Sequence, residues 1–201
     1  MICVEFNLND IQLDALKEIG NIGAGNAATA LSQLINKKVD MTVPQVDVLL
    51  FNDMVSRIGD EEDLVIAVLL KVFGDAPGNI LFVMKPDSAR LIADEMLIGL
   101  DIPSEEIYYS VYQELGNILG NSYLNALSRF TELNLVGSVP YVVEDMLAAI
   151  LSTTFIDAEQ YSDYVLAIDT TFMQENKESG GYFFYIPMPG SLEKILSKLG
   201  L

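Results

Sequence analysis

Histidine is absent from this chain and cysteine occurs once, at Cys3. Without histidine there is no Ser-His-Asp or Cys-His nucleophile, and the commonest ligand of catalytic zinc is missing. One cysteine closes no internal disulfide and builds no cysteine-rich metal or iron–sulfur site. Basic residues are scarce as well: 11 Lys and Arg stand against 29 Asp and Glu, for a formal charge of -18. Such a surface repels nucleic-acid phosphates and anionic membrane headgroups and favours partners that present Lys, Arg or a bound cation. Most of that acid serves solubility, and only a few charges are expected to touch a partner. The longest clean apolar run, Leu64 to Leu70, falls far short of the ~20 residues of a membrane span. No basic start leads into a hydrophobic stretch and a small-residue cleavage site, so a cytoplasmic protein is expected.

What remains for chemistry is carboxylates, amides, hydroxyls and a few Lys or Arg. Hydrophobic residues make up 51% of the 201 positions, enough for one large folded domain or two small ones. Within them one stretch repeats. Glu18-Ile19-Gly20-Asn21 recurs 96 residues later as Glu114-Leu115-Gly116-Asn117, and each Asn is followed 23 positions on by a proline, Pro44 or Pro140. On a helix, Glu and Asn at i and i+3 share a face, with Cβ atoms ~5–6 Å apart. Asp14 extends the first stripe back by a turn, and Ser110 extends the second.

The pattern around these stripes predicts a long helix from about Ile11 to Ile35, capped near Asn9 or Asp10 and stopped at Asn36. Gly20, Gly23 and Gly25 interrupt it, each costing a helix interior ~0.8–1 kcal/mol relative to Ala. Close approach of another backbone, or room for a partner to dock, would account for them. Val39–Val43 and Val46–Phe51 read as strands, Asn52–Ile58 as a helical turn, Leu64–Phe73 and Asn79–Met84 as a hairpin, and Pro86–Leu100 as a helix. The order then repeats: helix Glu105–Phe130, strand Leu133–Val139, short helix Met146–Phe155, hairpin Tyr164–Met173 and Tyr182–Met188 across Asn176–Gly181, and helix Ser191–Leu199. Ile22 aligns with Ile118, Leu31 with Leu127, Ser32 with Ser128 and Val43 with Val139 without a gap. Two repeats, about 9–100 and 105–200, are expected to form one pseudo-symmetric α/β (α+β) domain. The hairpins make a continuous, mostly antiparallel sheet, helices cover it, and the two motif helices share one face. Asp101-Ile102-Pro103-Ser104 between them is only a turn, and the strand order stays open.

Gly23-Ala24-Gly25-Asn26-Ala27-Ala28 matches a G-x-G-x-x-A dinucleotide fingerprint, but that motif needs a strand before it and a helix N-terminus at it. Here a helical pattern precedes the glycines, and the second copy has Leu119 and Asn121 in their place. A single Glu-x-x-Asn would pass for an incidental polar pair on a solvated face. Two copies with equal spacing to a proline do not. An Asn amide oxygen accepts from a water while its nitrogen donates to a phosphoryl oxygen. Phosphoryl transfer needs little covalent work from the protein, so orienting an attacking water in line can suffice, on a phosphate carried by another molecule.

Asp14, Glu18, Asn21 and Pro44, repeated as Ser110, Glu114, Asn117 and Pro140, resemble the pattern of the CheC/FliY/CheX family of chemotaxis phosphatases. The flanking Gly-Asn-Ile-Gly-Ala-Gly-Asn-Ala-Ala-Thr-Ala and Glu-Leu-Gly-Asn-Ile-Leu-Gly-Asn-Ser-Tyr are similar to those of CheC proteins, over nearly the whole chain. The resemblance implies a CheC-like fold and hydrolysis of the aspartyl phosphate of the response regulator CheY, with Mg2+ and a lysine on the regulator and no cofactor of the chain's own. It implies that Asn21 and Asn117 position water, that Glu18 and Glu114 pair with the regulator lysine, and that Asp14 and Ser110 flank the docking surface. It further implies binding of the receptor deamidase CheD near Asp145, for which an N-cap of the helix near Met146 is the competing reading. FliY would add a flagellar-switch domain, which this chain is expected to lack, and CheX-type dimerisation is not required of a two-copy monomer. A non-catalytic adaptor that sequesters CheY-P or CheD is the alternative. The stripes, present twice, favour an enzyme.

Overall fold

The structure, a computed structural model, describes residues 8–43, 45–98, 104–157, 164–174 and 177–200. Cys3, Pro44, most of the turn at 101–104 and the hairpin tip at Asn176 lie outside the described residues. Helix α1 (Asp10–Ile35) begins with a reciprocal cap, Asn9 Oδ1 accepting from the Gln12 N–H and Gln12 Oε1 from the Asn9 N–H, both at 2.9 Å. It ends at Asn36, which takes a left-handed φ of 53°, a conformation Asn tolerates well. The helix runs unbroken through all three glycines. After it come β1 (Asp40–Thr42), β2 (Val46–Leu50), α2 (Phe51–Ile58), β3 (Leu64–Gly74), β4 (Gly78–Met84) and α3 (Pro86–Met96). The same order follows as α4 (Glu105–Thr131), β5 (Leu135–Gly137), β6 (Tyr141–Met146), α5 (Leu147–Asp157), β7 (Tyr164–Gln174), β8 (Lys177–Pro187) and α6 (Ser191–Lys198).

Several boundaries differ from the sequence expectation. Helix α3 stops at Met96, four residues before Leu100, where the Leu97 N–H closes on the carbonyls of Ala93 and Asp94. Strand β5 is shorter than Leu133–Val139 because the Leu133 and Asn134 amides bond to the side chains of Thr131 and Asp75 instead of a ladder. Strand β6 was not anticipated, since a largely exposed edge segment shows no apolar alternation. Strand β8 starts at Lys177, five residues before Tyr182, so the second hairpin turns more tightly than Asn176–Gly181.

Every strand pairing described is antiparallel, in an eight-stranded sheet of order β1-β7-β8-β4-β3-β5, with β2 also on β7 and β6 also on β3. The short strands exchange partners. β1 and β2 of the first half pair with the second hairpin, β5 and β6 with the first, and β4 joins β8 between them. Side chains alternate across the sheet. Ile80, Phe82 and Met84 pack under α1, α3, α4 and α6, while Leu81 and Val83 pack under α2 and α5.

Two close approaches explain glycines. A Cβ on Gly116 would lie inside Val68 of β3, so α4 sits flat on the sheet there. A Cβ on Gly23 would fall 2.6 Å from the Tyr123 ring and 3.1 Å from its Cα, which lets α1 and α4 meet backbone to backbone. Gly25 is exposed, with nothing within 4 Å of the place a Cβ would take.

Candidate functional site

Helix α1 carries Asp14, Glu18 and Asn21 on its exposed face; α4 carries Ser110 and Glu114 exposed and Asn117 half-buried. Among the described residues Asp14, Glu18 and Glu114 have no ion-pair partner. The carboxylates are therefore free to meet a cation from outside. The Ser110 hydroxyl donates to the Glu106 carbonyl at 2.9 Å, leaving its lone pairs unspent.

The fold also accounts for the 23-residue spacing to proline. After Asn36 the chain doubles back as β1 beside α1, which brings Val43 alongside Asn21, and the Val43 N–H donates to Asn21 Oδ1 at 3.3 Å. Pro44 itself lies outside the described residues. In the second copy Pro140 is buried, and its carbonyl accepts from Gln113 Nε2 at 2.8 Å. Here the return of the chain shapes an open groove of about 320 Å³ between α4 and the segment Gly137 to Pro140, with Ser110, Glu114 and Asn117 on its wall. Asn117 Oδ1 accepts from Asn121 Nδ2 at 2.7 Å, and the same nitrogen donates to the Asn117 carbonyl at 2.9 Å.

Both motif asparagines thus have the amide oxygen held by one N–H while the amide nitrogen makes no bond to the described residues. That leaves two donors and one lone pair on each, the set needed to hold a phosphoryl oxygen and a water together. The copies are unequal. Asn21 is more exposed and more loosely anchored, and the position matching Asn121 is Gly25. Gln113, Asn121, Ser138 and Val139 were missed from the sequence. Helical spacing could have found the first two, which lie four residues either side of Asn117 on the same face.

Asp145 is not brought into the groove. It lies exposed in β6, which among the described residues pairs only with β3, and its Oδ1 accepts from the neighbouring Met146 N–H at 2.7 Å. The N-cap reading fails for a backbone reason: the first N–H groups of α5, on Leu147 and Ala148, donate to the carbonyls of Asp63 and Glu61. The dinucleotide reading fails too, because Gly23 and Gly25 lie inside α1, where amides are spent on helix bonds. Among the described residues no three acidic or Cys side chains converge on a metal position, and no helix is long and apolar enough to cross a membrane.

Comparison with known proteins follows the same outline. Residues 11–47, which hold the first Glu/Asn pair, match the model of the CheC-like family. Over 200 residues the chain is 34% identical to the CheY-P phosphatase CheC of Bacillus subtilis (strain 168), covering 96% of each. It is 35% identical over 127 residues to the flagellar motor switch phosphatase FliY of the same organism, covering 61% of this chain and 32% of that one. The X-ray crystal structure of Thermotoga maritima FliY has the same fold, with a TM-score of 0.78 at 22% identity over 96% of this chain and 98% of that one. With the duplicated stripes, the antiparallel sheet and a relative 34% identical over 96% of each chain, the chain belongs to the CheC-like family.

Proposed function

We propose that this protein accelerates hydrolysis of the aspartyl phosphate of the response regulator CheY, using Glu18 with Asn21 and Glu114 with Asn117 as two sites on one chain. The observation that carries this reading is the state of the asparagines: oxygen anchored, nitrogen unspent, each one turn from a carboxylate that has no partner among the described residues. A water held by the free lone pair of Asn21 or Asn117 lies beside the phosphorus of a docked regulator, and the amide N–H donors hold a phosphoryl oxygen. The water oxygen attacks phosphorus, the bond from phosphorus to the aspartyl oxygen breaks with its electron pair on that oxygen, and the products are a free aspartate carboxylate and inorganic phosphate, whose oxygens keep both protons of the water. Alignment supplies the acceleration, since Asn removes no proton.

Glu18 and Glu114 meet a lysine on the regulator, and Asp14 and Ser110 border the docked surface. A Mg2+ on the regulator would neutralise charge on the phosphoryl oxygens. The relatives named as phosphatases support the activity. CheD is proposed as a second partner, at the exposed β6 around Asp145, and Asp145→Lys is expected to lower its affinity without changing turnover. The deciding experiment adds the chain to phosphorylated CheY with Mg2+ and follows phosphate release. Release at the regulator's own rate would sink the proposal.

A further inference from the structure

Strand β4, Gly78-Asn79-Ile80-Leu81-Phe82-Val83-Met84, places one carboxamide in an otherwise apolar run at the centre of the sheet. Its neighbours β3 and β8 pair both edges of β4, Asn79 standing opposite Lys71 and Ile186. The Asn79 residue is only 9% exposed, yet its side chain makes no hydrogen bond to any described residue. Burying an amide without a partner costs a fold stability, and native structures rarely leave one so.

The side chain faces a cavity of about 260 Å³ with Leu69, Lys71, Ser138, Tyr141 and Thr154 on its wall. Asn79 lies on the α5 side of the sheet, the side of Leu81 and Val83, whereas the Asn117 groove lies on the α4 side. Among the described residues only Ser138 and Val139 border both. In the first half, on the same side of the sheet, Arg57 of α2 bridges Asp47 and Asp169.

Its wall has donors to spare. Directly opposite residues in an antiparallel pair point to one face, so the Lys71 ammonium and the Asn79 carboxamide share this one. Lys71 has no ion pair among the described residues, although acids outnumber bases 29 to 11. The Thr154 and Ser138 hydroxyl protons are already given to the carbonyls of Ile150 and Val139. The unspent groups are therefore the three N–H of Lys71, the amide of Asn79 and the Tyr141 hydroxyl, beside the apolar Leu69 and Val139. We infer that this cavity binds a small organic carboxylate, its charge on Lys71 and Asn79 and a short apolar body against Leu69 and Val139.

The test titrates the intact chain with isobutyrate and benzoate, and with the neutral isobutyramide and benzamide, following backbone amides by two-dimensional NMR. Saturable shifts at Lys71, Asn79 and Ser138 in the millimolar range, stronger for the acids than for the amides, are expected. Lys71→Met, an exposed position, should erase the preference for the acids. Asn79→Leu should weaken binding about tenfold or more, as loss of a charge-assisted hydrogen bond requires, while raising the melting temperature. No saturable shift, meaning a cavity that holds water only, overturns the inference. So does an equal response to acids and amides, or unchanged binding in either variant. None of these readouts involves phosphate release, so failure here leaves the phosphatase reading standing, and the reverse.

Discussion

Asn21 and Asn117 present the same chemistry through different anchors, a backbone N–H at 3.3 Å and a side-chain amide at 2.7 Å. Replacing both by Ala should return phosphate release to the regulator's own rate. Stability should change by no more than about 0.5 kcal/mol, as expected for residues outside the core, and circular dichroism with thermal melting checks that half. Under the proposed two-site reading the Asn21→Ala background leaves only the second site, and Asn121→Ala should then lower turnover about fivefold, the rate equivalent of about 1 kcal/mol for one neutral hydrogen bond. Unchanged turnover would show that Asn117 needs no support from its helix.

Among the elements, α1 and α4 carry both the packing and the exposed stripes, and their glycines separate the two tasks. Gly116→Ala forces a methyl into Val68. Overpacking of this kind costs about 1–3 kcal/mol, or a melting point lower by roughly 2–4 °C per kcal/mol in a chain of this size. Gly25→Ala meets nothing within 4 Å and should stabilise α1 by about 0.5–1 kcal/mol through helix propensity. Gly25 lies one turn beyond Asn21 and is exposed like it, so under the proposed docking the same variant should weaken regulator binding. Calorimetric melting and a binding titration, run together, would reveal whether that glycine serves docking or nothing.

For the whole molecule, the exchange of β1 and β2 for β5 and β6 ties each half to the other's hairpin. A chain cut between α3 and α4 should give halves that do not fold separately but regain the fold when mixed, which circular dichroism of each piece and of the mixture would test. The core also sets an alkaline limit. Burial pushes the Tyr123 phenol up to about 12 and raises that of Tyr185 as well. An unfolded chain releases these protons near pH 10, so the folded state holds more protons above that pH. Their contribution is complete below about pH 10 and is lost as pH rises toward 12. Tyr123→Phe should flatten the loss between about pH 10 and pH 12 in urea midpoints. The charge of -18 predicts that association with a regulator offering lysine slows as salt is added.

Two long helices with Glu and Asn on one face, two apolar hairpins and their order were legible in the sequence, because periodicity and turn chemistry are local and the repeat stated them twice. The places of Asp14, Glu18, Asn21, Ser110, Glu114 and Asn117 along those helices were legible for the same reason. Strand order could not be read, since a strand's alternation identifies its buried face and not its neighbour. Strand β6 was hidden because an exposed edge needs little apolar surface. The Val43 anchor of Asn21, and the Asn79 side chain that no described residue bonds beside Lys71, exist only once segments distant in the chain are packed together; the Asn121 anchor of Asn117 is local to α4. The sequence by itself determined which side chains stand outward on the helices and the bonds they make along their own helix; the tertiary structure decided what reaches them from other elements, because distances between strands and layers are contained in no spacing along the chain.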